Sequence, residues 1–333
     1  MRALWATGLL LATACTAAHP AASPTARPAP STRSPSPSAA TVAPTARALA
    51  WRVGPTLPIA LSEVGVAALG DQLHVLGGYI GGRPHSRTHL VLDTRTGRWS
   101  QGVPLPEALD HIGVAVLDGS LWAVGGYSDQ GIVAHVWSWT PGSSTWSART
   151  PLPSPRTAGA CVVLDGKLHY IGGKTGSAEL NQHLVYDPRT SRWTQAAPMP
   201  TARDHMAAAV VQGKIYVGTG RPGDLRTLEV YDPTTDSWST GPPVPLGRSA
   251  AAGASFHGLF VVLGGEHPGE LGVDTEVDGY DPRTRRWTRL PSLPHGRQGI
   301  GATVIGNVLY LPGGGPVGGG SVQSNVLLEL TDR

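Results

Sequence analysis

Six tryptophans recur along the chain at nearly even intervals, and this repeat limits the possible folds more than any other feature. They are Trp51, Trp99, Trp146, Trp193, Trp238 and Trp287, separated by 48, 47, 47, 45 and 49 residues. A doublet begins 26 residues after each of them, and its members are Gly77-Gly78, Gly125-Gly126, Gly172-Gly173, Thr219-Gly220, Gly264-Gly265 and Gly313-Gly314. A period of this length indicates stacked copies of one supersecondary unit.

Each unit has the pattern of two hairpins. An apolar segment such as Gly113–Leu117 leads into a two-residue turn such as Asp118-Gly119, and a second apolar segment ends at the doublet. Glycine in such a turn supplies the positive φ that tight hairpins require. A third apolar segment ends seven residues before the next tryptophan. Four short antiparallel strands are therefore predicted per unit.

Short strands at this spacing, with fixed tryptophan and glycine positions, are typical of a β-propeller blade. The run from Pro155-Arg156 to Gly172-Gly173, followed by Tyr186-Asp187-Pro188 and Trp193, resembles a kelch repeat. The resemblance covers residues 49–333 and implies an all-β, six-bladed kelch propeller with four-stranded antiparallel blades. Trp51 has no preceding strands of its own, and the sixth unit ends before its tryptophan. We therefore expect the strand around Trp51 to complete the last blade and close the ring.

The first 48 residues differ in composition from the rest. Residues 1–15 carry one positive charge and then an apolar run too short to span a bilayer. Together with the small residues before Cys15 they resemble a bacterial lipoprotein signal, which implies export and lipidation of Cys15. Ordinary secretion with cleavage near Ala18 is the alternative. Residues 16–48 are almost all Ala, Pro, Ser and Thr, which predicts a disordered tether. The protein is expected outside the cytoplasmic membrane, lipid-anchored or secreted.

Charge and cysteine content argue against two classes of protein. The net charge is +3, and the arginines are scattered without a basic run or stripe, so no nucleic-acid partner is expected. Cys15 and Cys161 are the only cysteines, so no disulfide framework holds the fold. Cys161 lies in an inner-strand sequence and is expected to be a small buried hydrophobe. We expect a monomer whose only membrane contact is the lipid anchor.

Candidate ligand-binding residues stand ten to twelve positions after the tryptophans, where strands enter the blades from loops. They are Glu63, Asp110, His111, Arg156, Arg203, Asp204, His205, Arg248 and Arg297. On a propeller these side chains are expected to converge on one mouth of the central channel. Glu63, His111 and His205 interrupt a ring of small residues and are the candidate acid and base groups of an enzyme. The alternative for the arginines is a structural role, pairing with neighbouring blades or capping carbonyls.

Other polar or glycine-rich segments predict no site. His85 and His89 are four residues apart in a predicted loop without helical support, and no metal is expected there or elsewhere. The segment Gly313–Gly320 lacks the strand-to-helix context of a dinucleotide loop and is expected to be a flexible loop of blade six. No cofactor is predicted.

The kelch resemblance implies two functions, between which the fold does not decide. The first, which we favour, is a noncatalytic tethered module that binds a carbohydrate or an extracellular protein or peptide, with arginines suited to an acidic ligand. The second follows from six-bladed kelch members that include a bacterial exported sialic-acid mutarotase. It is a sugar-acid mutarotase or epimerase with Glu63, His111 or His205 as acid and base groups. Galactose-oxidase-like chemistry is not expected, since that relative has seven blades and a crosslinked cysteine.

Overall fold

The structure, a computed structural model, describes residues 48–333. The regular secondary structure of these residues consists of β-strands. They contain no helix that is long and apolar enough to cross a membrane. The strands form six four-stranded antiparallel sheets and two small two-stranded hairpins, which confirms the predicted all-β propeller with six blades. The predicted signal at 1–15, with Cys15, lies outside the described residues, and so does all of the predicted tether except its last residue.

The first strand, β1 (Leu49–Val53), belongs to the last blade. Blade 1 contains β2 (Gly65–Leu69), β3 (Gln72–Leu76), β4 (His89–Asp93) and β5 (Arg98–Gln101). Blade 2 contains β6 (Gly113–Leu117), β7 (Ser120–Val124), β10 (Val136–Trp139) and β11 (Ser147–Ala148). Its second-to-third loop holds a small hairpin of β8 (Tyr127–Ser128) and β9 (Gly131–Ile132).

The other four blades repeat this plan. Blade 3 contains β12 (Ala160–Leu164), β13 (Lys167–Ile171), β16 (His183–Asp187) and β17 (Arg192–Ala196), with a loop hairpin of β14 (Lys174–Thr175) and β15 (Ala178–Glu179). Blade 4 contains β18 (Ala207–Val211), β19 (Lys214–Gly218), β20 (Leu228–Asp232) and β21 (Ser237–Thr240). Blade 5 contains β22 (Ala252–Phe256), β23 (Leu259–Leu263), β24 (Val277–Asp281) and β25 (Arg286–Arg289). Blade 6 contains β26 (Thr303–Ile305), β27 (Val308–Pro312), β28 (Leu327–Asp332) and β1.

The outermost strand of blade 6 comes from the opposite end of the propeller sequence. Strand β1 pairs antiparallel with β28, and Trp51 stands opposite Leu330. The sheet order is β1-β28-β27-β26. This pairing satisfies backbone groups of β28 that would otherwise form an open sheet edge.

The repeated tryptophans link each blade to its neighbour. Each indole Nε1 donates to the carbonyl oxygen of the residue four positions after the preceding tryptophan around the ring, at 2.8–3.0 Å. Trp99 donates to Pro55, and Trp51 donates to Pro291 in the last unit, so the same bond also joins the two ends of the repeat. The even spacing of the tryptophans therefore reflects one blade-to-blade contact made six times.

The glycine doublets make a second link between blades. The second glycine donates its N–H to the carbonyl oxygen of the residue ten positions after the next tryptophan, at 2.7–3.0 Å in all six units. Gly77 and Gly78 have φ of 63° and 90°. A Cβ on Gly77 would lie 2.5 Å from the carbonyl oxygen of Leu109 in blade 2, so only glycine fits without displacement. Thr219, with φ of 65°, is the exception.

The apolar core lies between blades, and small residues line the axis. Each of six buried clusters combines residues of two neighbouring blades, as where Leu73 of blade 1 packs with Tyr310 of blade 6. The inner strands enclose a central channel of about 470 Å³. Cys161 packs against the core between blades 2 and 3, as expected of a small hydrophobe, but it also lines the channel and is only partly buried. Its surroundings raise the pKa of the Cys161 thiol to about 12 by desolvation.

Candidate functional site

One residue per blade leads into the inner strand from a left-handed backbone conformation. These residues, which we call the inner ring, are Glu63, His111, Ala158, His205, Ala250 and Gly299, with φ between 49° and 59°. Each N–H donates to the carbonyl oxygen of the preceding member at 2.7–3.2 Å, so six hydrogen bonds form a closed circle at the channel mouth. Because this conformation disfavours residues other than glycine, the three large polar members are candidates for function.

The inner ring brings three ionisable side chains together. A carboxylate oxygen of Glu63 and imidazole nitrogens of His111 and His205 all lie within 4.8 Å of one another. His111 Nε2 is 3.2 Å from Glu63 Oε2. The imidazole centroids of His111 and His205 are 5.0 Å apart, with the rings nearly perpendicular. Three of the sequence-predicted residues, from blades 1, 2 and 4, thus form one cluster.

An aspartate holds each of these imidazoles at its Nδ1. His111 Nδ1 contacts Asp110 Oδ1, and His205 Nδ1 lies 2.9 Å from Asp204 Oδ1. Both aspartates are fully buried. Because an acceptor at one ring nitrogen selects the tautomer and orientation of an imidazole, the two Nε2 atoms are left for other partners.

The two imidazoles have opposite protonation preferences. Burial alone lowers the pKa of His111, but the carboxylates of Glu63 and Asp110 outweigh it and raise the pKa above its usual value. Burial lowers the pKa of His205, the nearby charges of His111 and Arg221 lower it further, and the hydrogen bond to Asp204 offsets this only in part. His111 therefore favours the imidazolium form and His205 the neutral form.

A second set of side chains follows the doublets directly, and we call it the outer ring. Its members are Tyr79, Tyr127, Lys174, Arg221, Glu266 and Gly315. Each forms an isolated antiparallel bridge with the residue eleven positions after a tryptophan, as Arg221 does with Asp204. These bridges hold the outer-ring residues next to the inner ring.

The two rings enclose a cavity of about 270 Å³. Its lining residues are Glu63, Tyr79, Arg83, Asp110, His111, Tyr127, Thr157, Lys174, His205, Arg221, Glu266 and Gly319. The lining combines three basic side chains, three carboxylates, two imidazoles and two phenols. Burial, reinforced by Asp110 and Glu63, raises the pKa of Tyr79, so this phenol stays neutral.

The glycine-rich loop of blade 6 helps to build the cavity. Gly319 N donates to Glu266 Oε2 at 2.7 Å, and its carbonyl oxygen accepts from Arg83. Glu266 also contacts Arg221, whose Nη1 lies 3.4 Å from His205 Nε2. The loop predicted only as a flexible connection therefore joins blades 1 and 5 across the mouth.

Four predicted ligand-binding arginines lie outside the cavity, which corrects the expectation that they clamp a ligand. They are Arg156, Arg203, Arg248 and Arg297, each at most 3% exposed. Their guanidinium groups donate within the protein at 2.5–3.1 Å to Gln182, Glu229, Asp278 and the carbonyl oxygen of Gly313, in that order. The positions of these arginines therefore agree with the alternative, a structural role inside the fold. Asp204 is likewise buried behind His205.

The two histidines rejected as a metal pair occupy different environments. His85 contacts Asp110 and its ring lies 5.6 Å from that of Tyr127, at the edge of the site. His89 begins β4 and is buried, with Nε2 2.9 Å from His74 Nδ1. Its predicted place in a loop was wrong because the third strand of blade 1 starts at this residue.

The outer ring is the part of the site that the sequence analysis missed. Its members stand 28 residues after each tryptophan, and the three charged ones and two tyrosines contrast with the invariant small residues before them. Comparing this offset across the six units would have found them.

Comparisons with known proteins agree with this architecture. Residues 45–199 match the family model described as KLHDC2/KLHL20/DRC7 Kelch-repeats domain, and residues 202–245 match the Kelch motif. No curated protein sequence matches the chain. Among solved structures, the one titled "Structure of YjhT" aligns with a TM-score of 0.72 and 19% identity, covering 83% of this chain and 96% of that chain. At this identity the likeness shows the fold alone. The chain belongs to the kelch-repeat proteins and forms a six-bladed kelch propeller.

Proposed function

We propose that the protein is an exported binding module whose mouth cavity takes a small carbohydrate that bears an acidic group. The observation that carries this proposal is the division of the outer ring into an aromatic part and a cationic part. Tyr79 and Tyr127 stand on blades 1 and 2, and Lys174 and Arg221 stand on blades 3 and 4, all lining one cavity.

The size of the cavity favours a single sugar unit. A volume of about 270 Å³ lies just below the range of sites for drug-sized ligands, about 300–1,000 Å³. The rings of Tyr79 and Tyr127 offer apolar faces to the C–H groups of a sugar, and their hydroxyls and the nearby carboxylates can bond to sugar hydroxyls.

The cationic part favours an acidic group on the ligand. The side chains of Lys174 and Arg221 are 32% and 30% exposed, so they can be reached from the mouth. Arg221 contacts Glu266 through one Nη atom, and its other Nη lies near His205. A ligand carboxylate would meet these cations through charge-assisted hydrogen bonds.

Thermal shift assays with sialic acid, glucuronic acid and neutral glucose test this proposal. We expect the acids to raise the melting temperature and glucose to have a smaller effect, because binding to the folded state alone stabilises it. Tyr79→Ala and Lys174→Ala should each reduce the shift, whereas the exposed His295→Ala should not. A chain that no sugar acid stabilises would contradict the proposal.

A second candidate is a sugar-acid mutarotase, favoured by the two imidazoles at the floor of the same cavity. Anomer exchange needs an acid and a base in reach of the ring oxygen and the anomeric hydroxyl, and His111 and His205 lie 5.0 Å apart between centroids. Exchange spectroscopy by NMR on sialic acid separates the candidates. Acceleration by the parent that disappears in His205→Ala favours the enzyme, and binding without acceleration favours the module.

Export and anchoring at Cys15 belong to the same proposal and are supported by the sequence of residues 1–15. Incorporation of a labelled fatty acid into the protein in a bacterial host tests the anchor. We expect the label in the parent and its loss in Cys15→Ser; a secreted, unlabelled parent would favour ordinary secretion.

A further inference from the structure

We infer that Glu63, His111 and His205 form a binding site for one divalent transition-metal ion of the zinc class. Their donor atoms lie within 4.8 Å of one another. Two imidazoles and one carboxylate form a ligand set that binds Zn²⁺ and leaves a fourth position open. This inference departs from the sequence prediction of no metal, because three residues spread over blades 1, 2 and 4 show no ligand spacing along the chain.

The aspartates behind the imidazoles support this assignment. Metal-bound histidines usually donate the other ring N–H to a carboxylate, which fixes the ring and makes it a better ligand. Asp110 and Asp204 contact the Nδ1 atoms of His111 and His205 in this way. Both pairs are adjacent Asp-His residues, and both aspartates are fully buried. The Nε2 atoms therefore have the orientation that two metal ligands require.

The local charge also matches a dication. Glu63, Asp110 and Asp204 contribute three negative charges around the cluster when ionised. Both imidazoles count as neutral here, because a metal ion binds the deprotonated ring and displaces the proton that His111 otherwise favours. Lys174 compensates one of them, with Nζ 3.8 Å from Asp204 Oδ2. Arg221 is paired with Glu266, and the ion would take the place beside His205 Nε2 that Arg221 Nη1 now approaches to 3.4 Å. Two of these three negative charges therefore remain for the ion.

The inner ring places the ion between two open spaces. The mouth cavity and a smaller space of about 100 Å³ toward the channel are both lined by these three residues. A ligand in the mouth cavity could reach the ion and bind at its open coordination position. The inference does not rest on the proposed sugar ligand. It competes with the mutarotase candidate, because an ion would occupy both Nε2 atoms.

Alanine substitutions in the inner ring should test the site without disturbing the backbone. Ala158 and Ala250 hold the same inner-ring position with φ of 54° and 52°. An alanine in place of His111 or His205 therefore keeps a backbone conformation that the propeller already accepts from alanine. Loss of metal binding in these variants would report loss of a ligand and not unfolding.

Calorimetric titration of the untagged full chain with Zn²⁺, after removal of bound metal with a chelator, tests the inference. All variants carry Cys15→Ser so that this thiol does not bind the ion. We expect one ion per chain in the parent and in the control His295→Ala. We expect at least 100-fold weaker binding in His111→Ala and His205→Ala, and 10- to 100-fold weaker binding in Asp204→Asn. Titration with Co²⁺ should give the visible absorption of a four-coordinate ion.

Two results would overturn the inference. One is a parent that binds no Zn²⁺ at micromolar concentrations. The other is binding by His111→Ala and His205→Ala that is as tight as in His295→Ala. Circular dichroism of each variant checks that the propeller is folded in every titration.

Discussion

Two sets of basic side chains lie near the same channel mouth, in opposite environments. Arg203 and Arg248 are fully buried and pair with Glu229 and Asp278 inside their blades. Lys174 and Arg221 are about one-third exposed and line the cavity. A basic side chain near the mouth therefore does not by itself indicate a ligand site. What distinguishes the sets is where the backbone directs the side chain.

The backbone offers a simple reason for the difference. The arginine position precedes the inner ring by two residues, and its side chain turns into the blade. The inner-ring residue has a left-handed conformation, and the outer-ring residue follows a doublet that also has positive φ. These changes of direction turn the side chains toward the cavity.

The largest expected effect at neutral pH is a loss of stability when one partner of a buried ion pair is removed. Arg203→Leu leaves Glu229 buried without its guanidinium partner, 2.5 Å away in the parent. We expect a loss of about 3–5 kcal/mol in the free energy of unfolding, measured by urea denaturation.

The matched control for this substitution is already present in another blade. Blade 1 has Leu61 and Leu90, both buried, where blade 4 has Arg203 and Glu229. The double variant Arg203→Leu/Glu229→Leu should therefore recover most of the stability. If Arg203→Leu alone is as stable as the parent, the structural role of the arginine is contradicted.

The next effect is a loss of stability that is seen only at acidic pH. It concerns two buried pairs of neutral histidines. His74 with His89, and His169 with His183, make ring-to-ring contacts at 2.9 and 2.8 Å in blades 1 and 3. Burial, reinforced in His74 and His183 by the partner histidine, lowers the pKa of His74 and His169 to about 4 and of His183 to about 3. Asp165, Lys167 and Asp236 are the charged groups near the second pair.

The sign of the pH dependence follows from these lowered values. The unfolded histidines take up protons near pH 6.5 and the folded ones only near pH 4, so stability is complete above pH 6.5 and falls as the pH drops toward 4. We expect about 3 kcal/mol for each histidine whose pKa is lowered in this way. Blade 5 has Val261 and Val277 at the equivalent positions. His169→Val/His183→Val should give a flatter dependence of unfolding on pH, and an unchanged slope would contradict this account.

The smallest effect concerns the backbone beside Arg203. Thr219 adopts φ of 65°, where the other five units have glycine, and its carbonyl oxygen accepts from Arg203 Nη1 at 3.0 Å. A β-branched residue is disfavoured in this conformation. Thr219→Gly should raise the free energy of unfolding by up to about 1 kcal/mol, by urea denaturation. A destabilised variant would mean that the threonine side chain contributes more than its conformation costs.

The sequence predicted the fold well because its strongest signals are contacts between blades. Each repeated tryptophan marks an indole hydrogen bond, and each doublet marks a close approach that admits little but glycine. Blade number and strand order follow from such fixed offsets. Glu63, His111 and His205 were predicted for the same reason, since they interrupt a ring of small residues.

The rest of the site could not be predicted in this way. An offset along the chain does not reveal that Arg203 turns toward Glu229, because that pairing depends on the third strand 26 residues later. The outer ring was missed because the doublet before it was interpreted only as the end of the second strand. Its bridge to the inner strand, as between Arg221 and Asp204, exists only in the folded blade.

Calorimetric titration with sialic acid tests the central claim, that the outer ring binds the ligand and the buried arginines support the fold. The two double variants to compare are Lys174→Ala/Arg221→Ala and Arg203→Leu/Glu229→Leu. We predict that the first loses at least 10-fold in affinity while circular dichroism shows that it remains folded. We predict that the second keeps the affinity of the parent. Unchanged affinity in the first and lost affinity in the folded second would contradict the account.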